Sequence, residues 1–210
     1  MKIVIFGANG KTGILLTEQA LAAEHTVTAY IRRKGAHVQQ HSNLRIVTGN
    51  LSDTEKIKEA IAGSDAVIST LGGGSLTKHS PEIIAGINHI VSIMEHVKVE
   101  RFIYLSSIGA GNSRNLMSPV IRFFITYIML RVPLADHSAN ENRLEKSTLK
   151  WTIVRPGGLT DEPKTGNLLH GSDNKMLKGS PKISRANVAS FMLNQLTDNT
   201  YINKGVWLYE

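Results

Sequence analysis

Residues 2–6 read KIVIF, a run of β-branched and aromatic side chains with almost no polar alternation, which is the pattern of a strand covered on both faces. Comparable apolar runs bounded by turn residues recur at 26–31, 44–48, 65–71, 101–106 and 151–155, and GVWLY at 205–209 predicts a last strand at a sheet edge. Between them, apolar positions return at helical spacing over 12–23, 53–62, 81–97, 115–131, 136–147 and 186–197. Ser52 or Asp53 ahead of TEKIKEAI, and Ser80 ahead of Pro81, mark two helix starts. Strand and helix alternating in this way predict right-handed βαβ units and an α/β fold with a doubly wound, mainly parallel sheet. The stretch 157–182, rich in Gly, Lys, Asp and Ser, carries little periodicity and reads as irregular structure where a lid could sit. No repeat or long linker divides the chain, and 210 residues with 41% hydrophobic content suit one domain spanning 1–210.

The first strand runs straight into Gly7-x-x-Gly10-x-x-Gly13 and then a helix. A strand, a glycine turn and a helix in that order place unpaired backbone N–H groups and the positive end of a helix dipole at one spot, a setting for pyrophosphate. Gly7 would make the turn, Gly10 would admit the phosphates close to the backbone, and Gly13 would permit tight helix–strand packing. A glycine motif alone fits any tight corner, but on the first strand of an alternating α/β chain it predicts a single-domain Rossmann fold that binds a dinucleotide. The second strand, TVTAYIRRK, ends on Arg32 and Arg33 where an NAD-type site has a carboxylate. Guanidinium pairs phosphate bidentately, so NADP(H) is expected to be preferred, with NAD(H) still possible.

Charge and composition narrow the remaining classes. The formal charge is +7, yet basic residues stop at short runs such as 32–34 with little aromatic interleaving, which argues against nucleic acid as the partner. There is no cysteine, which excludes disulfides, thiolate nucleophiles and Cys-based metal sites and fits a reducing compartment. Met1 leads at once into a strand pattern with no basic leader and apolar h-region, so secretion is not expected and a cytoplasmic protein is. VIRFFITYIML at 120–130 is too short to span a bilayer and contains Arg122, so it reads as a buried or pocket-lining helix and no membrane is expected as a partner. Histidines 25, 37, 41, 79, 89, 96 and 170 show no paired ligand spacing with carboxylates, and no metal is expected.

With these stretches in view, the chain resembles the atypical short-chain dehydrogenase/reductase family, in the NAD(P)H-binding branch that includes biliverdin-IXβ reductase/flavin reductase and NmrA-like proteins. The likeness runs over nearly the whole length and rests on the glycine motif, TVTAYIRR, VTGNLSD (47–53), DAVISTLGG (65–73), FIYLSSIG (102–109), WTIVRPGGLTDEP (151–163) and ISRANVASFML (183–193). It implies that Asn9, Gly10, Lys11 and Thr12 line the pyrophosphate turn and that Arg32 meets the adenosine phosphate. Asn50 and Leu51 would flank the adenine, Leu71, Gly72 and Gly73 would run along the middle of the cofactor, and Pro156, Gly157, Gly158 and Leu159 would lie by the nicotinamide. Relatives usually have Asp where Asn50 stands; an amide still offers adenine a donor and an acceptor.

The active centre departs further from the family. Ordinary members use a Tyr-x-x-x-Lys pair, but here Pro133 falls on the tyrosine position and His137 on the lysine position, while Tyr127 is followed four residues later by Arg131. The flavin reductase branch likewise lacks that pair and has an Asp-His dipeptide where Asp136 and His137 fall, and Ser107 matches its serine near the nicotinamide. The resemblance thus implies hydride transfer directed by positioning, with proton delivery from water or from His137. Asp136 equally fits a helix N-cap, and His137 a solvated first-turn residue whose titration near neutral pH makes it a candidate donor. Ser106 and Ser107 end the fifth strand, where open α/β sheets place ligands, although a turn role before Gly109 is also open. The reading is an NADPH-dependent reductase of a flavin, quinone or similar planar acceptor, monomeric or homodimeric. The alternatives are an NmrA-like dinucleotide sensor that acts through a protein partner, and an isomerase or dehydratase, against which the missing Tyr/Lys pair argues.

Overall fold

The computed structural model describes residues 1–33, 40–173 and 181–210, and the side chains of Ile121, Thr126 and Tyr127 are also outside the description, as are Lys34 and His37. The strands are β1 (Lys2–Phe6), β2 (Thr26–Ile31), β3 (Leu44–Thr48), β4 (Ala66–Ser69), β5 (Arg101–Leu105), β6 (Lys150–Pro156), β7 (Gly158–Thr160), β8 (Leu169–Gly171), β9 (Lys182–Ser184) and β10 (Lys204–Tyr209). The helices are α1 (Lys11–Ala22), α2 (Thr54–Ile61), α3 (Pro81–Val97), the short α4 (Pro119–Arg122), α5 (Arg131–Glu145) and α6 (Arg185–Asn194). Eight strands form one sheet in the order β3-β2-β1-β4-β5-β6-β10-β8, and β7 pairs with β9 in a second, small one. Neighbours from β3 through β10 in that order run parallel, and only the β10–β8 pair is antiparallel. This is a Rossmann-like α/β domain, and its strand order reverses between β1 and β4, where such sheets open a crevice.

Alternation along each central strand builds two cores. Ile3 and Ile5 of β1 with Ile103 and Leu105 of β5 join α1 and α6 on one face, whereas Val4, Phe6, Phe102 and Tyr104 join α2 and α3 on the other. Each fully buried aliphatic or aromatic side chain stabilises the fold by about 1.5–3 kcal/mol relative to exposure. Tyr104 carries a hydroxyl into the second core at full burial.

Three expectations are corrected by the packing. The last strand is not an edge: β8 covers it, and a side chain at Gly171 would run into the Trp207 ring, so glycine permits this closure from a stretch without strand periodicity. The helix read at 115–131 is a 3-10 turn over Gly111–Leu116, then α4, then a π-helical segment over Phe123–Met129. Far from being buried, Val120, Phe123, Phe124, Ile128 and Met129 of this segment are exposed. Finally, α5 starts at Arg131 rather than near 136, because Pro133 falls in the first turn, where a missing N–H breaks no helical bond. Among the described residues no helix is long and apolar enough to cross a membrane.

Candidate functional site

The crevice beside β1 and β4 is a cleft of about 570 Å³ whose walls include Gly7, Asn9, Gly10, Arg32, Asn50, Leu51, Leu71 and Gly72. Its floor is the glycine corner, and the three glycines are there for three different reasons. Gly7 has φ +81°, a left-handed conformation, and an added Cβ would stand 2.8 Å from the Thr70 hydroxyl. A Cβ at Gly13 would run into the Gly7 carbonyl, so its absence lets α1 seat against the turn. Gly10 has φ −78° and ψ 162°, which any residue adopts, and a Cβ there would meet only the Gly7 carbonyl at 3.3 Å. Its lack of a side chain matters for what approaches from the cleft. Gly10 is also the N-cap of α1, with no side chain to satisfy the first-turn N–H groups and no acidic residue in that turn. An anionic diphosphate fits those donors and that dipole.

The far wall comes from the ends of β2 and β3. Tyr30 stacks at 4.9 Å between ring centroids on Phe6, and its hydroxyl donates to the Asn50 carbonyl at 2.8 Å, which fixes the loop carrying Asn50 and Leu51. Burial, aided by the charge of Asp53, pushes the Tyr30 phenol up to about 12, so it stays a donor. His89 of α3 holds the same loop through Nδ1 to the Leu51 carbonyl at 2.8 Å and also lines the cleft. Thr70 leaves the sheet to donate to the carbonyls of Phe6 or Gly7, which is why β4 stops at Ser69 and frees Leu71 and Gly72 for the cleft.

His137 stands behind Gly72, outside the residues that line the cleft. A Cβ on Gly72 would lie 4.0 Å from His137 Nε2, and the other ring nitrogen, Nδ1, is 2.8 Å from the Tyr104 hydroxyl. Asn140, one turn further along α5, donates its amide to the same hydroxyl at 2.9 Å. Burial pulls the His137 pKa below the ordinary histidine range, with Glu141 and Asp136 pushing more weakly the other way, so the imidazole is neutral at pH 7 rather than titrating there. Asp136 is not an N-cap: it lies inside α5 and accepts from the Ser80 backbone N–H at 2.8 Å and pairs with His79 Nδ1 at 2.5 Å. That contact ties the loop after Gly72 to α5.

The remaining residues singled out in the sequence are not among those that line this cleft. Lys11 turns its ammonium to Asp161, 2.9 Å away, and Asp161 also pairs with Arg185. Thr12 and Gly13 are buried behind the turn, Arg33 is exposed beside Arg32, and Gly73 sits against Ser80, where a Cβ would meet Ser80 Oγ at 2.6 Å. Ser107, partly buried, donates to the carbonyl of Ile108 at 3.2 Å just past β5. Pro156 ends β6, Gly157 donates to Leu208, and Gly158 and Leu159 open β7, which pairs with β9. Ser106, expected on the pocket wall, turns inward instead: its hydroxyl donates to Glu141 at 2.6 Å. Glu141 in turn forms a buried two-point ion pair with Arg155 at 3.0 and 2.9 Å, and Arg155 reaches Asn112 at 2.7 Å. Sequence reasoning missed this network, along with Tyr104 and Asn140. The available signal was a polar stripe at 136, 137, 140 and 141, whose spacing sets it on one helix face.

A family model described as NAD(P)H-binding matches residues 7–199. The chain belongs to this NAD(P)H-binding family. The chain is 29% identical over its whole length to YhfK of Bacillus subtilis, described as an uncharacterized sugar epimerase, and covers 94% of that protein. Its fold is shared with a short-chain dehydrogenase/reductase of Veillonella parvula in complex with NADP, at a TM-score of 0.84 and 18% identity, over 100% of this chain and 94% of that one. The same holds for ChuY of Escherichia coli O157:H7, an anaerobillin reductase, at a TM-score of 0.79 and 23% identity over 100% and 97% of the two chains.

Proposed function

We propose that this protein is an NADPH-dependent reductase that delivers hydride to a flavin, a quinone or a similar planar acceptor. One observation carries the reading: a single cleft has Arg32 on one wall, the uncapped glycine corner on its floor and Gly72 in its lining, and the neutral imidazole of His137 stands with Nε2 4.0 Å from where a Cβ on Gly72 would be. Residues Gly7 to Gly10 would hold the diphosphate, Arg32 the adenosine phosphate, and Tyr30, Asn50 and Leu51 the adenine. The bound dinucleotide supplies the hydride. The protein contributes orientation, exclusion of water and a polar group at the reacting end, a division of labour common to cofactor enzymes. The epimerase description of YhfK does not redirect this reading, since no Tyr-x-x-x-Lys pair stands at the matching positions of this chain. ChuY's description adds anaerobillin to the acceptors worth screening.

Calorimetry with NADPH, NADH and their oxidised forms, followed by a turnover screen on flavins, quinones and anaerobillin, tests the reading. Arg32→Ala should weaken NADPH binding by about 10- to 150-fold, the range for a hydrogen bond to a charged group, and leave NADH unchanged. Gly10→Val should abolish binding with the fold intact, because its backbone conformation suits any residue. A folded protein that takes up neither coenzyme, or that turns over no acceptor in the panel, refutes the reductase. A second reading draws on the exposed apolar side chains at 120, 123, 124, 128 and 129, since exposed apolar groups of this kind favour a docking partner. In it the protein is an NmrA-like sensor, and cofactor binding without turnover, together with a cofactor-dependent partner, would support it.

A further inference from the structure

We propose that Tyr104 and Asn140 are positioning residues that lock His137 as the Nε2–H tautomer, so that a neutral imidazole presents a hydrogen-bond donor to the acceptor at the Gly72 end of the cleft. The inference rests on the reductase reading for the identity of the acceptor, but the tautomer itself follows from the protein alone.

The reasoning starts from the Tyr104 hydroxyl, which is fully buried on β5 and has two neighbours, the Asn140 amide at 2.9 Å and His137 Nδ1 at 2.8 Å. The amide N–H can only donate, so it uses the phenol oxygen as acceptor. With the amide in that orientation, which leaves Asn140 Oδ1 buried without a partner, the phenol hydrogen has one destination, the lone pair of Nδ1. Were Nδ1 protonated, both neighbours would donate to the same oxygen, and the hydroxyl hydrogen would be stranded in an apolar core at the full desolvation penalty. The neutral ring's proton therefore sits on Nε2, the nitrogen beside Gly72. The two rings stand 5.9 Å apart between centroids, tilted at 59° to each other.

Electrostatics agree with this arrangement. Desolvation keeps the phenol protonated and the imidazole uncharged. The charged and titratable groups that face His137 are engaged elsewhere: Asp136 with His79 and Ser80, and Glu141 with Arg155 and Ser106, while Tyr104 is the donor just described. A neutral Nε2–H is a poor acid, since losing its proton leaves an imidazolate. It is a good fixed donor to the oxygen or ring nitrogen on which negative charge accumulates as hydride arrives. In this scheme hydride adds to the acceptor, the charge is held by His137 Nε2–H, and water supplies the proton that completes reduction.

Two-bond ¹H–¹⁵N NMR on protein labelled at histidine, without cofactor, should show His137 as a single Nε2–H tautomer at pH 7. An Nδ1–H tautomer, which requires the Asn140 amide turned around, or an imidazolium overturns the proposal. Tyr104→Phe should mix the tautomers and lower kcat about 5-fold with KM for NADPH unchanged, as expected for one lost hydrogen bond. His137→Ala should lower kcat about 100-fold, whereas His137→Gln, whose amide nitrogen replaces Nε2, should retain most turnover and stay flat between pH 5 and 8. Equal loss in the Gln and Ala variants would make His137 an acid, and no loss in either would remove it from the reaction; both overturn the donor role. If the wild-type protein turns over no acceptor, the reductase reading fails instead, and the NMR result still decides the tautomer.

Discussion

Helices α3 and α5 pack side by side against the same face of the sheet, yet they are held by opposite means. Helix α3 buries Ile87, Ile90, Val91 and Met94, with Gly86 allowing close approach to Leu51. Helix α5 buries Asp136, Asn140 and Glu141 alongside Leu134 and Leu144. Every polar side chain of that set has a partner on another element: the loop before α3, Tyr104 of β5, or Ser106 and Arg155 at the ends of β5 and β6. An apolar helix is insensitive to a few tenths of an ångström, because dispersion and burial are non-directional. A helix held by charge-assisted bonds is fixed in rotation and height, which is what a side chain such as His137 needs if it is to meet a ligand at one angle.

The largest effect that would sharpen this contrast is expected at Glu141. Glu141→Gln leaves Arg155 buried without its counter-charge and should destabilise the protein by about 3–5 kcal/mol in urea unfolding, while Glu141→Leu combined with Arg155→Met should recover most of the loss. A double variant as unstable as the single one would show that the network is needed for shape rather than for charge balance. On α3, Ile90→Val should lose about 0.5–1.5 kcal/mol and leave NADPH affinity untouched; a comparable change in affinity would blur the contrast.

A smaller effect should appear in the pH dependence of stability. The folded His137 resists protonation, whereas the unfolded imidazole takes up a proton near pH 6.5, so the unfolded state binds more protons as pH falls below that value. Stability should therefore decline on acidification from pH 7, and His137→Gln should show a shallower decline than the wild type. A slope unchanged by the substitution would mean that His137 takes up its proton as readily in the fold as in the unfolded chain. The smallest effect is expected on the surface, where Asp161→Ala removes exposed pairs with Lys11 and Arg185 and should leave the thermal midpoint unchanged.

Much of the lining of the cleft was legible in the sequence. Gly7, Gly10 and Gly13 occupy consecutive positions on one corner, and Arg32 stands a single strand away, so local spacing was enough to place them. Asn50, Leu51, Leu71 and Gly72 follow because each ends a strand on the same side of a parallel sheet. The reacting end was harder to read. Asp136 fitted an N-cap only so long as the helix was read as starting at 136, and Ser106 fitted a pocket wall until Glu141, 35 residues away, claimed its hydroxyl. The apolar run at 120–130 had the composition of a buried helix, but Val120, Phe123, Phe124, Ile128 and Met129 face solvent.

By itself the sequence determined the βαβ alternation, the glycine corner and the guanidinium at the end of the second strand, because these depend on period-2 and period-3.6 patterns and on backbone freedom over a few residues. Only the tertiary structure decided that Tyr104 and Asn140 converge on His137, that Asp136 anchors the loop beyond Gly72, and that Glu141 and Arg155 bury each other's charge. Those arrangements join side chains from different strands and helices. Whether a buried polar group is satisfied depends on which neighbour reaches it, and that is set by packing rather than by any local run of residues.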